Sequence, residues 1–199
     1  MNTAIDPQFH RRNFRTVFGL GALFLVPLAV AFWLYYGLHW HPQGMTNHGK
    51  LLLPVRTLPD VTLPDADGVA QEHIFKGKWT LVYVGDGACA GDCRNALFFM
   101  RQTRLSLGHN MTRVQRVFLV TADCCDRAYL TGEQAGLRLL DASQPAAQPL
   151  LSRFTPDGHT EALYVVDPLG NLVMRYDARM PPEGLLDDLK HLLQLSSIG

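Results

Sequence analysis

An uncharged apolar run near the start of the chain divides the molecule into two parts. The run extends from Val17 to Gly37 without a single Asp, Glu, Lys or Arg, and its length matches the roughly 20 residues that a helix needs to cross a bilayer. Basic residues precede it and aromatic residues collect at its far end, which marks the near side as cytoplasmic. The sequence therefore predicts a cytoplasmic N-terminus at 1–16, a transmembrane helix at 17–37 and an outward-facing remainder. The flanking residues are Arg11, Arg12 and Arg15 on one side and Trp33, Tyr35, Tyr36 and Trp40 on the other.

A secretory signal is the competing interpretation of this run. Signal cores contain roughly 7–15 apolar residues and lead to a small-x-small cleavage site. The run from Val17 to Gly37 is longer, and no such site follows it. A permanent single-pass anchor is therefore favoured. In a Gram-negative bacterium the anchor would lie in the inner membrane and the C-terminal domain in the periplasm, where disulfides persist.

A tether and one globular domain account for the rest of the 199 residues. Residues 38–50 are polar and contain Pro and Gly, a composition typical of a linker. Residues 51–199 contain no repeat or low-complexity tract and predict a single domain. The chain has 18 basic and 18 acidic residues, so its charge gives no reason to expect nucleic-acid binding.

Hydrophobic periodicity in this domain predicts the order strand, helix, strand, helix, hairpin and helix. The first two strands should be parallel because a helix connects them. The order is that of an α/β domain with a mixed sheet covered by helices on both faces. An extended segment at Leu58–Leu63 precedes strands at Trp79–Val84 and Val114–Thr121, helices at Asp92–Leu107, Gln144–Phe154 and Glu183–Leu195, and a hairpin of Glu161–Val166 and Leu172–Tyr176.

Two cysteines, Cys89 and Cys93, lie between the first predicted strand and the helix that follows it. The start of a helix favours thiolate over thiol. The i, i+4 spacing lets both sulfurs share one face, where they can close a disulfide or bind one metal ion. A purely structural disulfide is also compatible with an outward location, but the loop it would close is short and gains little stabilisation. Reactive sulfur, redox-active or metal-binding, is therefore favoured.

This element order, with a cysteine pair after the first long strand, resembles the thioredoxin superfamily and, within it, the Sco/SenC family of membrane-anchored copper proteins. Residues Gly77–Gly85 (GKWTLVYVG) resemble the family's first core strand, and Cys89–Cys93 (CAGDC) resembles its CxxxC loop. The tripeptide at 158–160 (GHT) is similar to its Asp-His-Thr/Ser, and Leu163–Gly170 matches the strand and Asp-Pro-x-Gly turn at the same distance from the histidine.

The chain departs from the Sco/SenC pattern around the cysteines. Family members usually carry proline after each cysteine, where this chain has Ala90 and Arg94. Asp86-Gly87 replaces the usual Phe-Thr, and the family's acidic residue after the second core strand has only Asp123 as a match. The sequence is therefore interpreted as a divergent member.

The resemblance implies a metallochaperone with one copper ion, Cu(I) or Cu(II), bound by Cys89, Cys93 and His159. Two thiolates and an imidazole suit copper, whereas Ca²⁺ and Mg²⁺ require oxygen ligands. The implied partner is the copper-bearing subunit of cytochrome c oxidase, whose copper centre the protein would help to mature. A copper donor would then reload the site.

A thiol:disulfide oxidoreductase that keeps the acceptor's cysteines reduced is the main alternative. Cys89, nearer the solvent end of the loop, would attack as thiolate and Cys93 would resolve the mixed disulfide, with a thiol reductant as further partner. A peroxide-detoxifying or redox-sensing protein is a weaker third hypothesis. Cys124 and Cys125 follow the second core strand and are interpreted equally well as a second thiol pair or as free or mixed-disulfide thiols.

Overall fold

The computed structural model of the protein describes residues 7–37, 47–122, 127–154, 162–179 and 182–198. The chain forms two units, Met1–Met45 and Thr46–Gly199. The first unit contains helix α1 (Pro7–Phe32), which continues as a π-helical turn at Trp33–Gly37. Its stretch Val17–Gly37 is long and apolar enough to cross a membrane, and none of it is buried inside the protein. The predicted apolar helix is therefore present.

The second unit is a six-stranded mixed sheet covered by helices, together with a small two-stranded sheet. In chain order the elements are β1 (Lys50–Thr57), β2 (Leu63–Pro64), β3 (Ala70–Gln71), β4 (Trp79–Gly85), α2 (Asp92–Ser106), a 3-10 turn (Gly108–Arg113), β5 (Val114–Val120), α3 (Arg127–Gly132), β6 (Leu137–Asp141), a 3-10 turn (Pro145–Ala147), α4 (Gln148–Phe154), β7 (Ala162–Val166), β8 (Asn171–Asp177) and α5 (Pro182–Leu195). The order of strands in the large sheet is β1-β8-β7-β4-β5-β6, and β2 pairs with β3 in the small one.

Strand β4 lies at the centre of the sheet, and all its residues are buried. It pairs in parallel with β5, from Trp79 opposite Val114 to Gly85 opposite Val120, and antiparallel with β7. A continuous apolar run, rather than an alternating one, is expected where helices cover both faces. One core cluster lies between the sheet and α2 and α5, and a second lies between the sheet and α4. The predicted mixed sheet flanked by helices is confirmed.

The two strands at the edges of the sheet were not predicted from the sequence. Strand β1 pairs antiparallel with β8, with an irregular register between Leu51 and Arg56, whereas the sequence indicated an extended segment only at Leu58–Leu63. Strand β6 pairs in parallel with β5. Both edge strands are largely half-buried or exposed, so their apolar residues follow no clean period of two or continuous run.

The domain begins before the predicted boundary at residue 51, because residues at the end of the predicted tether pack on α5. The backbone N–H groups of His48 and Gly49 each donate to Asp188 Oδ2 at 2.9 Å. The Tyr176 hydroxyl donates to the same oxygen at 2.6 Å. Burial, and then the bond to Asp188, raise the pKa of Tyr176 above its ordinary value. The tether prediction for 38–50 is therefore wrong at its C-terminal end, and residues 38–46 lie outside the described ranges.

The buried Asp188 carboxylate should be a major determinant of stability. We expect Asp188→Ala to lower the free energy of unfolding by about 2–4 kcal/mol, because it leaves buried donors without their charged acceptor. Urea unfolding of the detergent-solubilised chain measures this. Asp187→Ala is the matched control, since Asp187 is exposed on the same helix, and should change stability by less than about 0.5 kcal/mol. Equal effects of the two variants would contradict the assignment.

Candidate functional site

The cysteine pair occupies the loop that joins the carboxyl end of β4 to the first turn of α2. Cys89 and Cys93 form a disulfide with a Cα–Cα distance of 4.9 Å. The structure therefore brings together two of the three residues that the sequence nominated as ligands.

Both cysteines are buried, which corrects the expectation that Cys89 lies nearer the solvent. Cys89 is 0% exposed and Cys93 is 5% exposed. Both belong to the core cluster between the sheet and α2, together with Ala96 and Leu97. The buried ends of β4 and α2 meet at this loop, so its sulfurs enter the core. Ala88, Ala90 and Gly91 are exposed around them, and these short residues allow a partner to approach closely.

The loop adopts a backbone conformation that L-amino acids rarely occupy. Cys89 has φ 43°, and Gly91 has φ 46° and ψ −104°. The Cys93 N–H donates to the Ala90 carbonyl at 3.0 Å, which closes a tight turn before α2. A non-glycine residue with positive φ costs of order 1–3 kcal/mol. The protein thus holds Cys89 in a strained position at the point where its chemistry is expected.

Arg94, directly after the second cysteine, links the loop to α3. Its Nε donates to the Cys89 carbonyl at 3.3 Å, and its guanidinium carbon lies 4.7 Å from the centroid of the Tyr129 ring. The Tyr129 hydroxyl donates back to the Arg94 carbonyl at 3.4 Å. In the sequence, Arg94 stands out only as a departure from the family proline. Its position as a cation directly after a cysteine was the available signal.

A buried cation, Arg116 on β5, continues this network into the domain. Its Nη1 donates to Gln134 Oε1 at 2.9 Å and its Nη2 to the Ala135 carbonyl at 2.7 Å. Gln134 Nε2 in turn donates to the Tyr129 hydroxyl at 3.1 Å. Burial, assisted by neighbouring arginines, lowers the pKa of Arg116 to about 10, so it stays charged at neutral pH. The chain of contacts runs from the cysteine loop through α3 to the central sheet.

An acidic residue between the cysteines, Asp92, is tied to the end of β8. Arg179 Nε lies 3.4 Å from Asp92 Oδ2 and 3.5 Å from Asp177 Oδ1. Exposed ion pairs of this kind are worth at most about 1 kcal/mol. Their effect here is on charge, because Arg179 balances the carboxylate at the start of α2.

The remaining predicted site residues, His159, Cys124 and Cys125, lie outside the described residues, as does Asp123. The Thr121 N–H donates to the Gly85 carbonyl at 2.9 Å, so the ends of β5 and β4 lie side by side as expected for a parallel pair. Across the described ranges, no group of three or more His, Cys, Asp or Glu side chains is arranged to hold a metal ion.

Comparison with known proteins supports the fold around this site. Residues 79–196 match the family described as "Transmembrane-like, thioredoxin-like, C-terminal domain". No curated protein matches the chain in sequence.

Among the solved structures that share the architecture, three illustrate the low sequence identity. Copper-bound ScoI from Bradyrhizobium japonicum is 22% identical with a TM-score of 0.56, over 69% of this chain and 100% of its own. Apo Sco1 from Thermus thermophilus is 21% identical with a TM-score of 0.61, over 75% and 99%. The thioredoxin domain of a Bacteroides vulgatus thiol-disulfide oxidoreductase is 18% identical with a TM-score of 0.53, over 69% and 96%. The predicted likeness to Sco proteins is confirmed at the level of the fold.

The glycine between the cysteines should be required for its backbone conformation alone. We expect Gly91→Ala to lower the free energy of unfolding of the oxidised chain by about 1–3 kcal/mol. An added Cβ would meet no atom within 4 Å, so a clash cannot be the cause. Gly132→Ala is the control, since its Cβ also meets open space and its φ is ordinary. A loss at Gly132 equal to that at Gly91, in the same urea titration, would contradict this account.

Proposed function

The chain belongs to the family of transmembrane-like, thioredoxin-like C-terminal domains, and from this premise we propose that it is a membrane-anchored copper-binding protein. In this proposal its Cys89–Cys93 pair carries one copper ion as cargo to the copper centre of cytochrome c oxidase. The helix at Val17–Gly37 anchors it in the bacterial inner membrane, with the N-terminus in the cytoplasm and the domain in the periplasm.

The observation that supports this proposal most directly is that two sulfurs lie together at the carboxyl end of β4. Residues close enough to share a disulfide can also bind one ion after reduction. Thiolates are soft ligands that select Cu(I), and the first turn of α2 stabilises their negative charge. The residues that are described therefore fit two positions of a copper site, and copper-bound ScoI, which shares the fold, gives independent support.

The third ligand in this proposal is His159. Imidazole nitrogen suits Cu(I) and Cu(II) alike, and a site of three protein ligands leaves room for an incoming group from the acceptor. Cargo would then leave by ligand exchange, with the acceptor's side chains replacing Cys89, Cys93 and His159 in turn. Ala88, Ala90 and Gly91 present no long side chain that would obstruct this approach.

Copper stoichiometry and affinity test this assignment. The reduced full-length chain with Cys124→Ser and Cys125→Ser should bind one Cu(I) in competition with a chromogenic chelator. We expect His159→Ala to weaken binding by more than about tenfold, since losing even a residue that supports a ligand costs about 10- to 100-fold. His109→Ala is the control, because His109 is exposed in the 3-10 turn after α2. Undiminished affinity in His159→Ala would remove it from the ligand set.

A specific observation also favours a second function, that of a thiol:disulfide oxidoreductase. The Cys89–Cys93 disulfide is closed in the structure, and the fold is shared with an oxidoreductase domain. In this function one reduced cysteine attacks a partner disulfide to form a mixed disulfide, and the other cysteine then displaces the reduced partner. The dithiol is oxidised and the partner is reduced by the same two electrons.

Two variants separate these functions. Cys93→Ser should abolish both copper binding and catalytic disulfide reduction, because each requires two sulfurs. His159→Ala should lose copper but reduce a model disulfide within about twofold of the unmodified rate, since an exchange rate depends on the thiols themselves. The rate is measured by monitoring reduction of a fluorogenic disulfide by the full-length chain. A large loss of reduction in His159→Ala would instead tie the histidine to thiol chemistry.

A further inference from the structure

The exposed side of α2 carries alternating basic and apolar residues, beginning beside the cysteine loop. Arg94, Phe98, Arg101 and Leu105 follow one another at i, i+4, i+7 and i+11, the spacing of one helical face. Phe98 is 48% exposed and Leu105 is 49% exposed, while Arg94 is exposed and Arg101 is partly so. We call these four residues the α2 ridge.

The ridge is distinct from the face by which α2 packs on the sheet. The buried residues of α2 are Cys93, Ala96, Leu97, Met100 and Thr103, and they supply the helix with its core contacts. Phe98 and Leu105 belong to neither core cluster. Exposed aromatic and aliphatic residues next to arginine are typical of protein–protein interfaces. In such interfaces Arg and aromatic residues provide much of the binding energy.

The charge along α2 after Asp92 is one-sided. From Arg94 to Arg113 the sequence contains four arginines and no Asp or Glu, although the whole chain has a net charge of zero. Within the described residues Arg101 forms neither an ion pair nor a hydrogen bond, so its charge is available to a partner. Asp92, the carboxylate nearest in sequence, is already paired with Arg179. The ridge thus presents the charge of Arg101 between the apolar side chains of Phe98 and Leu105.

From this pattern we propose that the α2 ridge is the docking surface for an acidic protein partner. The partner would present a carboxylate to Arg101 and an apolar side chain to Phe98 and Leu105. Because the ridge starts at Arg94, which contacts the Cys89 carbonyl, a bound partner lies next to the sulfurs. This docking proposal rests on the proposed function. The partner is the protein that accepts copper from Cys89 and Cys93 or exchanges thiols with them.

Model peptides test docking separately from chemistry. Two fluorescent peptides are compared, one alternating Glu with Leu and the other alternating Lys with Leu, neither containing cysteine. Fluorescence anisotropy with the full-length chain in uncharged detergent should give binding at least about tenfold tighter for the Glu peptide at low salt, and the preference should shrink as salt rises. Equal affinity for the two peptides would overturn the proposal.

Charge reversal on the ridge locates the binding. Arg101→Glu should remove the preference for the Glu peptide, and Phe98→Ser should weaken binding of that peptide without changing its salt dependence. Lys78→Glu is the matched control: it makes the same change in net charge, and Lys78 is exposed at the amino end of β4. If Lys78→Glu weakened binding as much as Arg101→Glu, net charge rather than the ridge would be responsible and the proposal would fail.

A second pair of peptides, with the same alternating charges and one internal disulfide each, tests whether docking promotes thiol exchange. A thiolate of the reduced chain attacks a peptide sulfur and releases the other peptide sulfur as thiolate; the second cysteine then closes the Cys89–Cys93 disulfide and frees the reduced peptide. Faster reduction of the acidic peptide, reversed by Arg101→Glu, supports the ridge. Binding of the acidic peptide without exchange supports the ridge and argues against oxidoreductase function. Exchange that is indifferent to peptide charge overturns the ridge and leaves that function standing.

Discussion

The complete burial of β4 is the constraint on which the rest of the domain depends. A strand with no exposed residue must be covered on both faces, and its parallel pairing with β5 requires a crossover, which α2 provides. The loop between β4 and α2 therefore leaves the sheet at the carboxyl ends of the parallel strands, where functional groups collect in open α/β sheets. Cys89 and Cys93 lie in that loop, so the position of the sulfurs follows from the packing of the strand.

The local structure of the loop exerts opposing effects on the sulfurs. The left-handed conformation of Cys89 and the tight turn before α2 draw both sulfurs into the core, where water does not solvate a thiolate. The first turn of α2 favours negative charge there, whereas Asp92 opposes it and is balanced by Arg179. Burial thus destabilises a thiolate in this loop, whereas the helix dipole stabilises it. Such opposing effects are common where a group must be both protected and reactive.

The sequence predicted the centre of this fold better than its edges. Strands β4 and β5, helix α2 and the β7–β8 hairpin were foreseen because each has a continuous apolar run or a clear helical period. Edge strands β1 and β6 lack such patterns, since most of their residues are half-buried or exposed. The hydrogen bonds from His48 and Gly49 to Asp188 join residues about 140 positions apart, and no local sequence pattern predicts such long-range contacts. The burial of Cys89 was missed for a similar reason, because it depends on how the loop packs after the strand and helix are in place.

The oxidation state of the cysteine pair connects the two functions considered for the site. Sulfurs joined in a disulfide have no thiolate with which to bind copper, so the closed form in the structure and a copper-loaded form exclude each other. A reductant that opens Cys89–Cys93 would therefore also create the copper site, and an acceptor disulfide that reoxidises the pair would prevent further loading. The same exchange would leave the acceptor's cysteines reduced and ready to bind metal. Under the proposed functions, thiol exchange and copper delivery would be consecutive uses of one pair of sulfurs, in an order set by the redox state of the partner.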